Sequence, residues 1–281
     1  MNNDNNQHLI LTVCVIYNTD LLASSAYKTL LRFSDDVIII DNSPVSGIKS
    51  LPNARWKLLT FPENPGLSHA YNRAAEYGEK YGYKWLLISD QDTIFPERFY
   101  ETLKFSIERY PSSKLFCPLV KVKDNWQLSP TPLNYFLSHL IKYPQYMDTD
   151  IKLKKFAIIN SGLFIDISTY FEAGGYNEAV FLDYSDFQFI ERLSKNIDTA
   201  HVLDCTCIQD FSNESHDLQN KSNRFRMFCR STKRYDTTNA LRKIMLNIAV
   251  IKRMLSLTLE FKNLDFLKTY IKYYICSNTN R

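Results

Sequence analysis

The stretch Trp85–Pro96, WLLISDQDTIFP, decides how the rest of the chain is read. Its apolar run, Trp85 to Ile88, breaks off into Asp90-Gln91-Asp92, two carboxylates one residue apart where a buried strand ends. A surface turn would explain them, since Asp is common in turns. A metal site would also explain them. Mg²⁺ and Mn²⁺ prefer oxygen ligands and often take only one or two carboxylates, with water and substrate phosphates supplying the rest. The choice depends on what stands upstream.

Leu9–Ile16 (LILTVCVI) is a short β-branched run that stops at Tyr17-Asn18. Leu21–Phe33 has helical spacing, with Leu22, Ala26, Leu30 and Phe33 on one face. Asp36–Ile40 reads as a second buried strand, ending in Asp41-Asn42-Ser43, and Trp56–Phe61 as a third. Pro65-Gly66 marks a turn, and Leu67–Tyr81 reads as a helix with Ala70, Ala74, Ala75 and Tyr77 inward. Trp85–Ser89 is then a fourth strand. This alternation predicts an α/β fold with a mostly parallel sheet flanked by helices. In such sheets ligands bind outside the carboxyl ends of the strands. Tyr17-Asn18, Asp41-Asn42, Asn64-Pro65-Gly66 and Asp90-Gln91-Asp92 all fall there, and four polar strand ends on one edge favour a site over four unrelated loops.

Downstream, Pro96–Tyr110 reads as a helix, and 118–155 as loops and short elements over the sheet. Phe156–Asp166 is strand-like around a Ser161-Gly162 break. Phe181–Lys195 opens with FLDYSDFQF and continues as a helix, and His201–Ile208 is another strand. From about Arg224 onward the pattern is helical.

With 281 residues, 45% of them hydrophobic, the chain can bury a full core. Its N-terminus, MNNDNNQH, lacks a basic region followed by an apolar one, so residues 1–8 are expected to be disordered and not a signal peptide. No apolar run approaches the ~20 residues that span a bilayer. The six cysteines are expected to be reduced in a cytoplasm, with Cys205-Thr206-Cys207 in a strand and not in a zinc site. The net charge of +4 hides an asymmetry, because residues 221–281 carry +11 and the preceding 220 carry −7. Such a tail suits an anionic partner: phospholipid, phosphate or nucleic acid.

Two longer stretches carry a resemblance. NPGLSHAYNRAAEYGEKYGYKWLLISDQDTIFP (64–96) resembles the family 2 inverting glycosyltransferases of the GT-A fold, which run Asn-x-Gly, an Asn on the next helix, then an apolar strand ending in Asp-x-Asp. NSGLFIDISTYFEAGGYNEAVFLDYSDFQFIERL (160–193) is similar to the family's second half, with its Gly-Gly-aromatic turn, acidic pair and trailing Arg. The Asp-Gln-Asp and Phe-Leu-Asp-x-x-Asp forms look like the rhamnosyltransferases of bacterial surface polysaccharide and O-antigen assembly. The resemblance covers roughly residues 9–240. It implies transfer of a sugar from a nucleotide-diphosphate donor, dTDP- or UDP-linked, to a saccharide acceptor with inversion, and a Mg²⁺ or Mn²⁺ cofactor.

Carried over by position, Tyr17, Asn18 and Asp41 fall where the family holds the nucleotide. Asn64, Gly66 and Asn72 match the Asn-x-Gly…Asn run that contacts the donor. Asp90 and Asp92 match the nucleotide-side and metal-side carboxylates, and both are candidate metal ligands, Asp92 first. Asp186 falls on the catalytic aspartate, the base that takes the proton of the attacking hydroxyl. Ser185 stands where the family has a first acid, so Asp183 is expected to share that role. The alternative for both acids is that they only favour a helix N-terminus. Arg192 fits the trailing Arg. The family often completes its metal shell with a His after the strand at 205–208. Gln209-Asp210 stands there instead, which leaves His216 or Asp210 as the candidate third ligand.

The expected organisation is a catalytic domain over 9–220 and a basic helical extension over 221–281. Leu241–Ile275 interleaves Lys and Arg with apolar residues at helical spacing, as a helical cap or a surface for anionic lipid would. The resemblance implies an acceptor linked to undecaprenyl diphosphate and a peripheral location on the inner face of the plasma membrane. The rival reading is a non-catalytic nucleotide- or nucleic-acid-binding module. Its basic residues would then be confined to one end of an acidic body, which argues against nucleic acid as a partner.

Overall fold

The computed structural model describes residues 10–32, 36–52, 54–122, 126–133, 146–210 and 217–276. In chain order the first half runs β1 (Ile10–Ile16), α1 (Ser25–Leu30), β2 (Val37–Asp41), β3 (Lys57–Thr60), α2 (Leu67–Lys80), β4 (Trp85–Asp90), β5 (Thr93–Ile94) and α3 (Phe99–Arg109). Then follow β6 (Leu115–Lys121), β7 (Gln127–Ser129), β8 (Thr131–Pro132), β9 (Thr149–Lys152), β10 (Phe156–Ala157), β11 (Phe164–Asp166), α4 (Ile167–Glu172), α5 (Ser185–Leu193) and β12 (Thr199–Gln209). Three helices close the chain: α6 (Leu218–Lys233), α7 (Ala240–Phe261) and α8 (Asp265–Tyr270), the last running into a π turn over Ile271–Ile275.

The main sheet has the order β3-β2-β1-β4-β11-β6-β12-β5. Its first four strands are parallel, β11 is antiparallel to both β4 and β6, and β12 is parallel to β6. Every residue of β1 and β2 is buried, as expected for strands covered on both faces. Alternate side chains divide between two cores. Leu11, Val13 and Val15 pack with Ala70, Ala74 and Tyr170 of α2 and α4. Ile10, Cys14 and Ile16 pack on the other face with Leu30, Phe99 and Leu103 of α1 and α3. A third core joins α6 to α8 through Phe225, Phe228, Val250, Met254 and Phe266.

Two expectations change. The helix predicted over 21–33 is shorter, because Ser24 caps α1 by accepting from the Tyr27 N–H at 3.0 Å. Leu21, not Leu22, then takes the buried place and Leu22 is exposed; Phe33 lies outside the described residues. The segment from 118 onward, read as loops, begins inside β6, a central strand. Pro118 hides it, since proline cannot donate to a ladder and is disfavoured in central strands. Here the pairing of β6 with β12 shifts register between Val202 and Thr206, opposite Pro118, so no ladder bond is asked of it. On the other side β11 pairs only as far as Phe116.

Gly162 completes that accommodation. It has φ 81°, and a Cβ there would stand 2.6 Å from Pro118 Cγ. Gly162→Ala is therefore expected to destabilise the protein by about 1–3 kcal/mol, through overpacking and a strained φ. Thermal unfolding followed by circular dichroism should fall by roughly 2–4 °C per kcal/mol. An unchanged midpoint would mean that the proline ring yields.

Candidate functional site

The loops that follow β1, β2 and β4 are tied to one another. The Tyr17 N–H donates to Gln91 Oε1 at 2.9 Å, and the Asn18 N–H to Ser43 Oγ at 2.8 Å. The Ser43 N–H in turn donates to Asp41 Oδ1 at 2.9 Å. Asn18 and Asn64 both adopt positive φ, which Asn tolerates better than most residues. The loops wall a cleft of about 530 Å³, whose far side is formed by residues 181–187 together with Arg224, Phe228 and Arg253.

Tyr17, Asn64, Gly66, Asp90 and Asp92 line this cleft. Both Asp41 and Asn42 are buried, but only Asn42 lines the cleft, while Asp41 spends a carboxylate oxygen on its own turn. Gly66 has φ 99°, and a Cβ would meet the Phe181 carbonyl oxygen at 2.5 Å. That same carbonyl accepts from the Leu67 N–H at 3.0 Å. Gly66 thus seats the 181–187 segment against the sheet edge.

Asn72 does not reach the cleft. Its Oδ1 accepts from the Tyr170 hydroxyl at 2.6 Å and the Tyr176 N–H at 2.9 Å, while its Nδ2 donates to the Tyr176 carbonyl at 3.0 Å and Glu178 Oε1 at 2.9 Å. Asn72, expected at the donor, braces the Gly174–Glu178 turn and is not among the residues that line the cleft. Arg192 braces the same turn, donating to the Gly174 and Gly175 carbonyls at 3.4 and 3.1 Å.

Asp90 and Asp92 are held by a run of side chains from three chain segments. The Tyr71 hydroxyl donates to Asp90 Oδ1 at 2.5 Å, and the Ser161 hydroxyl stands 2.9 Å from Asp90 Oδ2. Ser161 also lies 2.8 Å from Gln209 Oε1, and Gln209 Nε2 donates to Asp92 Oδ1. Burial pushes the Asp90 carboxyl up from its ordinary range, and the bonds from Tyr71 and Ser161 oppose that rise. Burial and the Asp90 charge also hold the Tyr71 phenol well above its usual value, so it remains a donor.

Asp186 lies in the first turn of α5, after Tyr184 in a left-handed conformation. Its Oδ1 accepts from the Phe187 N–H at 2.8 Å. Burial pushes its carboxyl up to about 7, and the charges of Asp90 and Asp183 push the same way. Asp183 faces two cations of the helical extension, Arg224 Nη2 at 3.2 Å and Arg253 Nη1 at 4.0 Å. The Arg253 guanidinium lies 4.4 Å over the Phe228 ring. Asp183 Oδ2 is buried and has no hydrogen-bond partner among the described residues.

The donor set suits a hard cation that brings its own ligands. Among the described residues no three His, Cys, Asp or Glu cluster as a metal cage. Asp92, with Asp90 beside it, offers oxygen ligands at the cleft wall, and diphosphate oxygens and water would fill the other positions, as Mg²⁺ and Mn²⁺ allow. His216 lies outside the described residues. Gln209 occupies the place expected for a third ligand and donates to Asp92, while Asp210 touches Asp92 through its backbone N–H at 3.0 Å.

Tyr71, Ser161, Gln209, Arg224 and Arg253 are the members that the sequence reading missed. Only the Ser161-Gly162 break and the position of Gln209 gave any signal.

Neither a protein-family model nor a curated protein matches this sequence. Solved structures do. Residues 1–349 of S. aureus TarS superpose with a TM-score of 0.55 at 13% identity, over 94% of this chain and 78% of that one. The same protein in complex with UDP-GlcNAc gives 0.55 and 13%, over 94% and 79%. The mannosyltransferase PcManGT from Pyrobaculum calidifontis, in complex with GDP-Man and Mn²⁺, gives 0.54 and 12%, over 94% and 73%. The chain has a glycosyltransferase fold. Its central, mostly parallel sheet flanked by helices is the architecture these neighbours share.

The bracing role of Asn72 separates stability from binding. Asn72→Ala leaves the buried Tyr170 hydroxyl and the Tyr176 N–H without their acceptor, a loss of about 1–3 kcal/mol. Its thermal midpoint should fall while nucleotide affinity, measured by calorimetry below the transition, stays unchanged. A selective loss of affinity would return Asn72 to the donor.

Proposed function

We propose that this chain is an inverting glycosyltransferase that moves a sugar from a nucleoside diphosphate to an acceptor hydroxyl, with Asp186 as its base. The observation that carries the reading is Asp186 itself. It is a carboxyl held near neutrality in the same cleft as the strand-end pair Asp90 and Asp92. A carboxyl with a pKa near neutrality can take and give up a proton at working pH, while the strand-end pair beside it offers oxygen ligands to a cation.

Inverting transfer is a direct displacement. The acceptor oxygen bonds to the anomeric carbon on the face opposite the diphosphate, and the bond from that carbon to the diphosphate oxygen breaks. The acceptor's proton passes to the Asp186 carboxylate, and the nucleoside diphosphate departs with the bonding pair. A base with a pKa near the working pH is strong enough to help and is ionised often enough to act. Tyr17, Asn18, Asn42, Asn64 and Gly66 are assigned to the nucleotide, and Asp90 to its sugar-proximal side. A Mg²⁺ or Mn²⁺ held by Asp92, beside Asp90, would neutralise the diphosphate and ease its departure. Asp183, fixed by Arg224 and Arg253, is assigned to orienting the acceptor.

The Asp-Gln-Asp and Phe-Leu-Asp-Tyr-Ser-Asp forms support L-rhamnose as the sugar and dTDP as its carrier. A saccharide acceptor carried on a lipid diphosphate, undecaprenyl diphosphate in surface polysaccharide synthesis, fits the same resemblance and would bring the reaction to a membrane surface. The test is release of nucleoside diphosphate from a panel of nucleotide sugars, dTDP-rhamnose first, with UDP- and GDP-sugars as comparison. Tight binding without any release would favour a non-catalytic nucleotide-binding module.

Asp92→Ala is expected to abolish transfer while the thermal midpoint persists. Excess EDTA should do the same to the wild type, and full turnover in EDTA would remove the metal role.

The pH profile tests Asp186. Once protonated, the carboxyl is too weak a base to take the acceptor's proton, so the rate should rise about tenfold per pH unit below 7 and level off above it. Asp186→Asn should flatten that limb and cost ~10²–10⁴-fold in rate, roughly 3–5 kcal/mol of barrier, with little change in donor Kd. Retention of more than about a tenth of the rate would contradict the assignment.

A further inference from the structure

Helix α7 carries two apolar stripes. Leu246, Val250, Met254 and Leu257 face inward and are buried. Leu241, Ile244, Ile248, Ile251, Leu255 and Leu259 recur at intervals of three and four residues, and all six are exposed. That spacing keeps them on one side of a helix about 33 Å long. From Leu264 at the end of the turn the pattern resumes, with Leu267 on α8 and Ile271 and Ile275 on its π turn also exposed. Single exposed apolar residues are ordinary, but a contiguous stripe marks a surface that meets another apolar phase.

Exposed lysines outnumber exposed acids along these two helices. Lys243, Lys252, Lys262, Lys268 and Lys272 are exposed, against Glu260 and Asp265, and Asp265 already holds Lys268 at 2.8 Å. A second copy docked about a twofold axis would set these lysine rims against each other, because an isologous contact pairs each patch with itself. An anionic bilayer is their complement. Aliphatic side chains enter the acyl boundary while lysine stems reach outward to head-group phosphates. No helix among the described residues is long and apolar enough to cross a membrane, so α7 would lie in the plane of the surface.

We infer that the outer face of α7 and α8 seats the protein on an anionic lipid bilayer. This deepens the membrane part of the proposed function but stands on separate atoms. Arg253, on the same helix, reaches the cleft beside Asp183, so a seated α7 holds the cleft close to a lipid-borne acceptor.

The experiment is co-sedimentation of the whole chain with vesicles of phosphatidylglycerol and phosphatidylcholine, and with phosphatidylcholine alone, at low and high salt. The wild type should bind the mixed vesicles, prefer them strongly to the neutral ones, and keep a residual bound fraction at high salt. Ile248→Glu with Leu255→Glu should lower binding at least about tenfold. Lys243→Gln with Lys252→Gln should weaken it chiefly at low salt, where attraction is least screened. Both pairs are exposed, so thermal midpoints should not move. Equal binding by the stripe variant, or equal binding to neutral vesicles, would overturn the inference. So would a wild-type dimer by light scattering that the stripe variant dissolves, which would assign the face to a second copy. Transfer of the sugar to a soluble acceptor, read as release of nucleoside diphosphate, separates the two proposals. Release without vesicle binding removes only this inference, and vesicle binding without release removes only the transferase reading.

Discussion

Two carboxylates one residue apart, at the edge of a buried sheet, repel each other where solvent screens them poorly. The hydrogen bonds around Asp90 and Asp92 are the response, and much of the fold is arranged to deliver them. Tyr71 arrives from α2, Ser161 from the turn before β11, and Gln209 from the last residue of β12. Gln209 acts as the joint, since its amide donates to Asp92 while its carbonyl lies within reach of Ser161 and Thr93. A histidine there would offer a lone pair to a cation. Glutamine offers a donor to the aspartate instead, so Asp92 is fixed by the protein before any cation arrives. Three chain segments far apart in sequence must be in register for this pair to survive, and the sheet order β4-β11-β6-β12 brings them there.

The opposite wall depends on the helical extension. Glu191 of α5 accepts from the Tyr235 hydroxyl at 2.8 Å and from the Thr237 hydroxyl, and lies 3.5 Å from Arg242. The Leu182 N–H donates to Ser231 Oγ at 3.3 Å, and Gln188 Nε2 to the Asp236 carbonyl at 3.1 Å. These contacts fasten both ends of the 181–193 segment to α6 and the chain after it. Asp183 and Asp186 are therefore placed jointly by Gly66, which admits Phe181, and by helices that begin beyond residue 217. A boundary at 221 falls inside the first turns of α6 and cuts through that support.

Strands β1, β2 and β4 were legible because both faces are covered, leaving near-continuous apolar runs, and each run stops at a polar residue where the cleft begins. The strand-end sites needed only those stops. What escaped reading shares one cause, contacts between residues distant in sequence. Pro118 looks like a strand breaker until the bulge in β12 is known to lie opposite it. Asn72 looks like a ligand contact until the turn at 174–178 closes on it. Asp41 and Asn42 are equally plausible side by side, and only the twist of the turn sends one inward and the other to the cleft. Tyr71 carries no local mark at all, since a tyrosine on the buried side of a helix is ordinary core until a carboxylate is found at its hydroxyl.

The basic tail shows the limit of counting charge. The total of +11 over residues 221–281 describes one surface only if the charges share it. They do not. In α7 three faces are interleaved within 22 residues: an inner apolar stripe on the third core, an outer apolar stripe with Lys252 at its edge, and a flank that sends Arg253 to Asp183 and Arg242 to Glu191. The two arginines are committed to carboxylates of α5 and the loop before it. The lysines remain on the outside, consistent with the chemistry of each, since a guanidinium tolerates a half-buried pair better than a strongly hydrated ammonium does. The division of Arg from Lys along α7 thus separates the cations that build the cleft from those that face solvent, a distinction that net charge erases and the type of cation partly keeps.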